Sequence, residues 1–225
     1  ARAFVSKALA IAQRIVRAKN KIRDANIPYE IPAQNQLPER LDGVLRVIYL
    51  LFNEGYSAAS GDETLRTDLS SEAIRLARLL CTLLAQPHSE SMGLLALLLL
   101  QDARRAARMD AQGELILLED QNRDLWNRAQ ISEGLEWITR ALQQGPVGSY
   151  SLQAAIAAVH AEAADFAATD WQQIAALYQR LYAQEPSPVV ALNHAVAVSM
   201  MSAGGGPAVA LTLVDELLSH GQLDD

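Results

Sequence analysis

The sequence predicts an all-α protein: a helical-repeat α-solenoid body preceded by a basic N-terminal helix. Three observations carry that reading. Half of the 225 residues are apolar, with Ala and Leu dominant and aromatics at only 5%. Apolar residues recur at spacings of three and four in nearly every segment, the period of one helical face. Val, Ile and Thr seldom alternate with polar residues, as a half-buried strand would require. A chain of this size and apolar content buries a real core as one or two domains.

Taken in order, residues 3–22 read as a helix with Phe4, Ala8, Ile11, Ile15, Ala18 and Ile22 along one face. Arg14, Arg17 and Lys21 line one flank of that stripe, and Lys19 and Arg23 the other. Ser6 is a candidate cap for a helix starting at Lys7, with residues 1–5 left as the end of a preceding helix. A helix end, a short turn and then a basic helix is the order found in the second half of a helix-turn-helix. Residues 1–25 hold seven basic residues against Asp24 alone, while the remainder carries 12 basic and 25 acidic residues. That asymmetry suggests an arm that meets a polyanion and a body that does not; a solvated basic helix is the plainer reading. Ala1 is not a methionine, and the chain reads as a fragment of a longer protein.

Pro28, Pro32 and Pro38 punctuate a polar stretch that predicts an extended linker. The chain therefore divides into residues 1–26, a Pro-rich linker over 27–40 and a body over 41–225. The first body helix is expected over 41–53, with Leu45, Ile48, Tyr49 and Phe52 inward. Asn53-Glu54-Gly55 should end it, Gly55 taking a left-handed C-terminal position. After a turn at Gly61-Asp62, Asp68 is the expected cap of a second helix reaching residue 85. Ser89 starts a third, to about Arg108. Its run Gly93–Leu100 is too short to span a bilayer and reads as a buried core helix. Residues 109–118 form a loop whose apolar Leu115–Leu118 tucks it onto the core. Helices then follow over 122–143, with a bend expected near Gln130, and over 149–163.

In the last third Thr169-x-x-Gln172 reads as a capping box for a helix to about residue 183. Ser187 and Pro188 cap and start the next helix, and Gly204-Gly205-Gly206-Pro207 leads to one more, through Leu218. Residues 73–87 and 173–186 are alike, each ending in Pro and followed by a small-residue helix. Such pairs resemble tetratricopeptide units, whose stacking makes a concave surface suited to protein contacts.

Signs of chemistry are sparse. Asp102, Arg104, Arg105 and Arg108 stand at one end of the 109–118 loop, and Glu119, Asp120, Arg123 and Trp126 at the other. Asp102–Arg105 and Glu119–Arg123 have the spacing of helical ion pairs. The functional reading is an anion site or an acid/base pair; the structural one is ion pairs that hold the loop. Asn53, Glu54 and Tyr56 form a second polar group, read either as a site or as caps for turn backbone. His160-x-Glu162 points its two side chains to different helix faces, which rules out metal-ligand spacing. No phosphate loop, nucleophile elbow or Cys/His metal pattern is present, so no catalytic residue, metal or cofactor is expected and the chain is not read as an enzyme. The lone Cys81 excludes an internal disulfide and argues for a reducing, cytoplasmic setting.

Residues 1–31 (ARAFVSKALAIAQRIVRAKNKIRDANIPYEI) resemble the end of region four of an extracytoplasmic-function (ECF) sigma factor, where the recognition helix leads into an R-A-K-x-K-I-R tail. LRVIYLLFNEGYSAASG, EAIRLARLL, LLALLLLQDARRAAR, LLEDQNRDLW, LQAAIAAVHAEA and PSPVVALNHAVAV resemble the subgroup with a long tetratricopeptide-like C-terminal extension. The resemblance implies a parent protein that binds core RNA polymerase and promoter DNA, with the extension regulating activity through a further protein partner. By position, Lys7, Gln13, Arg14, Arg17 and Lys21 would meet DNA, although Lys7-Ala8-Leu9-Ala10 is more apolar than groove-facing residues usually are. The alternative is a freestanding protein-binding or small-molecule-binding helical domain with no DNA-directed role.

Overall fold

The computed structural model describes residues 8–26, 36–56 and 63–219. Among them nine α-helices are seen and no sheet, the one ladder contact being an isolated antiparallel bridge between Met109 and Leu115. The helices are α1 (Ala8–Asp24), α2 (Leu37–Tyr56), α3 (Glu63–Leu83), α4 (Ser89–Asp102), α5 (Arg128–Gln143), α6 (Ser149–Glu162), α7 (Trp171–Gln184), α8 (Pro188–Ser199) and α9 (Pro207–Ser219). The all-α expectation is met. No helix among the described residues is long and apolar enough to cross a membrane.

The chain forms two compact units, Ala1–Leu50 and Leu51–Asp225. In the first, α1 shows the expected amphipathic pattern, yet Ile15 and Ile22 on its apolar stripe are about half exposed. It ends where Asn26 takes a positive φ of 48°, a left-handed stop that asparagine tolerates better than most residues. Ser6, Lys7 and residues 27–35 of the expected linker lie outside the described residues. Leu37 and Pro38, expected as linker, belong to α2; proline fits a first helical turn because its missing N–H would have no partner there. Leu41, Leu45 and Ile48 are buried at helical spacing.

Gly55 does not end α2. The helix runs on to Tyr56, and Gly55 is not among the glycines with positive φ, which are Gly113, Gly145, Gly204 and Gly206. The expected turn over 57–62 lies outside the described residues. α3 begins before Asp68, which therefore sits inside the helix and is not its cap.

The second unit is built on α4. All ten residues from Ser91 to Leu100 are buried, under α3, α5 and α6. His88 caps this helix, its Nδ1 accepting from the Ser91 backbone N–H at 3.1 Å. Close approach is bought with glycine: a Cβ on Gly93 would lie 2.8 Å from the Ser151 backbone, and one on Gly134 2.8 Å from Leu100. Glu90 reaches across to the start of α6, where its carboxylate accepts the N–H groups of Gly148, Tyr150 and Ser151 at 3.1, 2.8 and 3.1 Å. Those are orphan donors of a helix N-terminus, so one side chain does the work of a cap from another helix.

A second core joins Leu152, Ile156 and Val159 of α6 to Ile174 and Leu181 of α7 and Ala197 and Val198 of α8. Ser187 and Pro188 start α8 as expected, the serine hydroxyl accepting from Val190 N–H at 3.3 Å. The capping box at Thr169 is displaced by one residue. Asp170 is the cap of α7, accepting from Gln173 N–H at 2.9 Å, while Thr169 is buried. Leu115 and Leu117 of the 109–118 loop are more than half exposed, so the loop is not tucked onto the core by these side chains.

Candidate functional site

α4 ends at Asp102, six residues earlier than its periodicity suggests, and a 3₁₀ turn (Arg105–Ala107) follows. A second 3₁₀ turn (Arg123–Leu125) precedes α5, whose cap Asn127 donates its N–H to the Ala103 carbonyl at 2.8 Å. The expected continuous helix over 122–143 is thus broken at Trp126, not bent near Gln130. These two breaks, held together by that bond, gather arginines around two aromatic rings.

The first ring is Tyr56. Its hydroxyl donates to the Gln101 carbonyl at 3.1 Å, and it stacks on Phe52 at 5.0 Å. Arg108 lies over its face at 3.8 Å and donates to its carbonyl at 3.1 Å, satisfying one of the acceptors left open at a helix C-terminus. Arg105 stands 6.0 Å from the same ring. Arg105 Nε also donates to Asp102 at 2.8 Å and its Nη2 to the Ser70 hydroxyl, while the other Asp102 oxygen accepts from Gln130 at 3.0 Å. The Asp102–Arg105 pair expected from spacing is real. Burial first, then the neighbouring Arg104 and Arg105, holds the Arg108 guanidinium below its ordinary pKa, with Tyr56 acting in the opposite direction.

The second ring is Trp126, 3% exposed, with Arg123 at 4.5 Å and Arg104 at 5.8 Å from its centre. Arg123 does not pair with Glu119, which is exposed along with Asp120. Residues 119–122 are not helical, so the four-residue spacing brings nothing together. Arg123 Nη1 instead donates to the carbonyls of His160 and Ala163 at 2.7 and 2.8 Å, at the end of α6. Its Nη2, the Trp126 Nε1 and the His160 Nδ1 are all buried with no protein partner. Buried polar atoms left so cost about 1–3 kcal/mol each. Burial, then the positive charges of Arg104 and Arg123, pushes the His160 imidazole down to about 4. It is neutral at pH 7.

The structure therefore brings Tyr56, Asp102, Arg105 and Arg123 into one corner and leaves Glu54, Glu119 and Asp120 exposed outside it. Asn53 is half-buried on α2. On α1, Gln13, Arg14, Arg17 and Lys21 are all exposed. Those four fall within a third of a turn of the helix, so they share one flank. His160 carries little local signal as a site residue: its neighbour Glu162 stands at the wrong spacing, and its partners are Arg104, Arg123 and Trp171.

Two clefts of about 370 Å³ lie elsewhere in this unit. One is lined by Cys81, His88, Trp137 and Arg140, the other by Tyr182, His194, Leu213 and Glu216. The Cys81 thiol is pushed up to about 11 by burial, which leaves it protonated and unreactive at neutral pH. Among the described residues no group of three or more His, Cys, Asp or Glu side chains is arranged as metal ligands.

Residues 40–142 match a family described as a family of unknown function (DUF6596). That span includes both 3₁₀ turns, Tyr56 and Trp126, but not His160. The chain is also 51% identical over 218 residues to the uncharacterized protein R00370 of Rhizobium meliloti (strain 1021), an alignment that takes in 96% of this chain and 50% of that protein. The chain spans about half the length of the curated relative it matches. No solved structure matches it.

Proposed function

We propose that this chain is the C-terminal part of an alternative, ECF-type sigma factor: the end of region four, a Pro-rich linker, and a tetratricopeptide-like α-solenoid that regulates transcription through protein contacts. The observation that carries the reading is the exposed flank of Gln13, Arg14, Arg17 and Lys21 on α1, a basic helix in a chain whose net charge is −7. Fixed cations along one flank of an exposed helix suit the phosphate contacts that position a recognition helix, and Gln13 suits base-edge hydrogen bonding. The succession of short helices packed on their sequence neighbours, α3 on α4, α5 on α6 and α7 on α8, supports a solenoid. The length of the relative leaves room for the promoter-melting regions that such a protein needs. The chain then works in the cytoplasm with core RNA polymerase and has no catalytic role of its own.

The test uses the full-length parent with core RNA polymerase on its cognate promoter. Replacing Arg14, Arg17 and Lys21 together by Ala should lower promoter affinity and flatten its dependence on log salt concentration by roughly 2–3 in slope. A parent that neither retains core polymerase in a pull-down nor initiates transcription would remove the reading. In that event the arginine corner, with its unpartnered buried donors, favours the small-molecule-binding alternative.

A further inference from the structure

We propose that the corner formed by Arg104, Arg123, Trp126 and His160 is a binding site for a small oxyanion, a phosphate-bearing or carboxylate-bearing metabolite, held by Arg123 Nη2 and Trp126 Nε1. This goes beyond the promoter-reading role and does not depend on it.

Arg123 Nη2 and Trp126 Nε1 can only donate, and both are buried without a protein partner. A cation or an acceptor-free ligand satisfies neither. The site is also short of negative charge. Arg104 and Arg123 both lie against the Trp126 ring, and the nearby ion pair, Arg105 with Asp102, involves neither of them. Asp165 acts on Arg123 through its field, opposed by the fields of Arg128 and Arg104. An oxyanion supplies the missing charge and accepts from both donors.

Position is fixed before any ligand arrives. The two α6 carbonyls at 2.7 and 2.8 Å hold one end of the Arg123 guanidinium, and the Trp126 face at 4.5 Å holds its plane. A donor immobilised in this way loses little freedom on binding. His160, neutral beside two arginines, adds a ring nitrogen that becomes a donor once a negative charge lies near it. Arg123 belongs to a single 3₁₀ turn with Trp126 as its C-cap, flanked by exposed residues at 119, 120, 124 and 125.

The test titrates the whole chain with inorganic phosphate, and separately with acetate, at constant ionic strength set with sodium chloride. It follows melting temperature and tryptophan fluorescence. Saturable stabilisation and a fluorescence change are expected with at least one of the two anions. Phosphate alone identifies a phosphate-bearing ligand, acetate alone a carboxylate-bearing one, and both a general oxyanion site. Arg123→Gln should weaken binding by at least about tenfold. Because Arg123 also ties down α6, Trp126→Phe and Arg104→Gln are measured beside it; Trp126→Phe keeps an aromatic face but removes the N–H together with part of the indole, so its anion-free melting temperature reports the packing loss, and it should weaken binding severalfold. Two results overturn the proposal. One is no effect of either anion beyond that of chloride, which would mean that water fills the donors. The other is an equal response in wild type, Trp126→Phe and Arg104→Gln.

Discussion

α4 and α8 share a nearly uniform apolar pattern, and they end up in opposite surroundings. Each follows an amphipathic helix, and each is apolar on almost every face. From Ser91 to Leu100 every side chain of α4 is buried, whereas α8 buries only Ala195, Ala197 and Val198. Val189, Leu192 and Val196, spaced by three and four along α8, and Met200 at its C-cap are 67%, 38%, 52% and 41% exposed. The cause is the company each keeps. α4 is packed by α3, α5 and α6, and α8 by α7 and α9. An all-apolar helix is expected to be buried all round, and α8 shows that its own composition does not secure this; neighbours on every side do.

Truncating one apolar side chain to alanine in each helix tests the difference. Leu98→Ala should cost about 2–5 kcal/mol, since its site is sealed on all sides and collapses poorly. Urea unfolding gives the value, and a loss under 1 kcal/mol would show that α4 is not the centre of the core. An intermediate effect is expected at the joint between the two packings. His160, near the end of α6, meets the edge of Trp171 at the start of α7 at 5.3 Å. Its folded pKa of about 4 lies below the ordinary value of 6.5. Above pH 6.5 the imidazole is neutral in both states and contributes no slope. Between 6.5 and 4 the unfolded chain takes up the proton first, so stability falls as pH falls, by roughly 2–3 kcal/mol in all. His160→Gln should remove that part of the pH dependence, and superimposable profiles for the two proteins would contradict the burial. The smallest effect belongs to α8. Val196→Ala should change stability by no more than about 0.5 kcal/mol, the loss of packing being offset by alanine's better helix propensity. A cost of 2 kcal/mol or more in the same urea assay would mean that this face is covered.

Local relations in this molecule were legible from sequence, and distant ones were not. Asp102 and Arg105 could be paired by spacing because the chain stays coiled between them. The same rule failed for Glu119 and Arg123, where the backbone is irregular and the arginine finds carbonyls 37 and 40 residues away. Ser187-Pro188 announced its helix because a cap is a local event. The end of α2 was misread for the opposite reason: a glycine is a plausible stop, but Tyr56 is anchored by Gln101 and Arg108, and these tertiary bonds carry the helix through Gly55. Arg123 and Trp126 stood together in the sequence, but His160 joined them only when the fold set its unpartnered ring nitrogen beside two arginines.

The Glu90 bridge has a consequence for how the body comes apart. Its carboxylate takes three backbone N–H groups at the head of α6, so α6 cannot fray from that end without stripping a half-buried charge of its donors. Such a bond couples α4 to α6 more tightly than apolar contact alone would. α4 and α6 then open as one cooperative unit although 58 to 61 residues separate Glu90 from the groups it binds, and Glu90 acts as a latch between two helices that hydrophobic packing alone would leave free to slide.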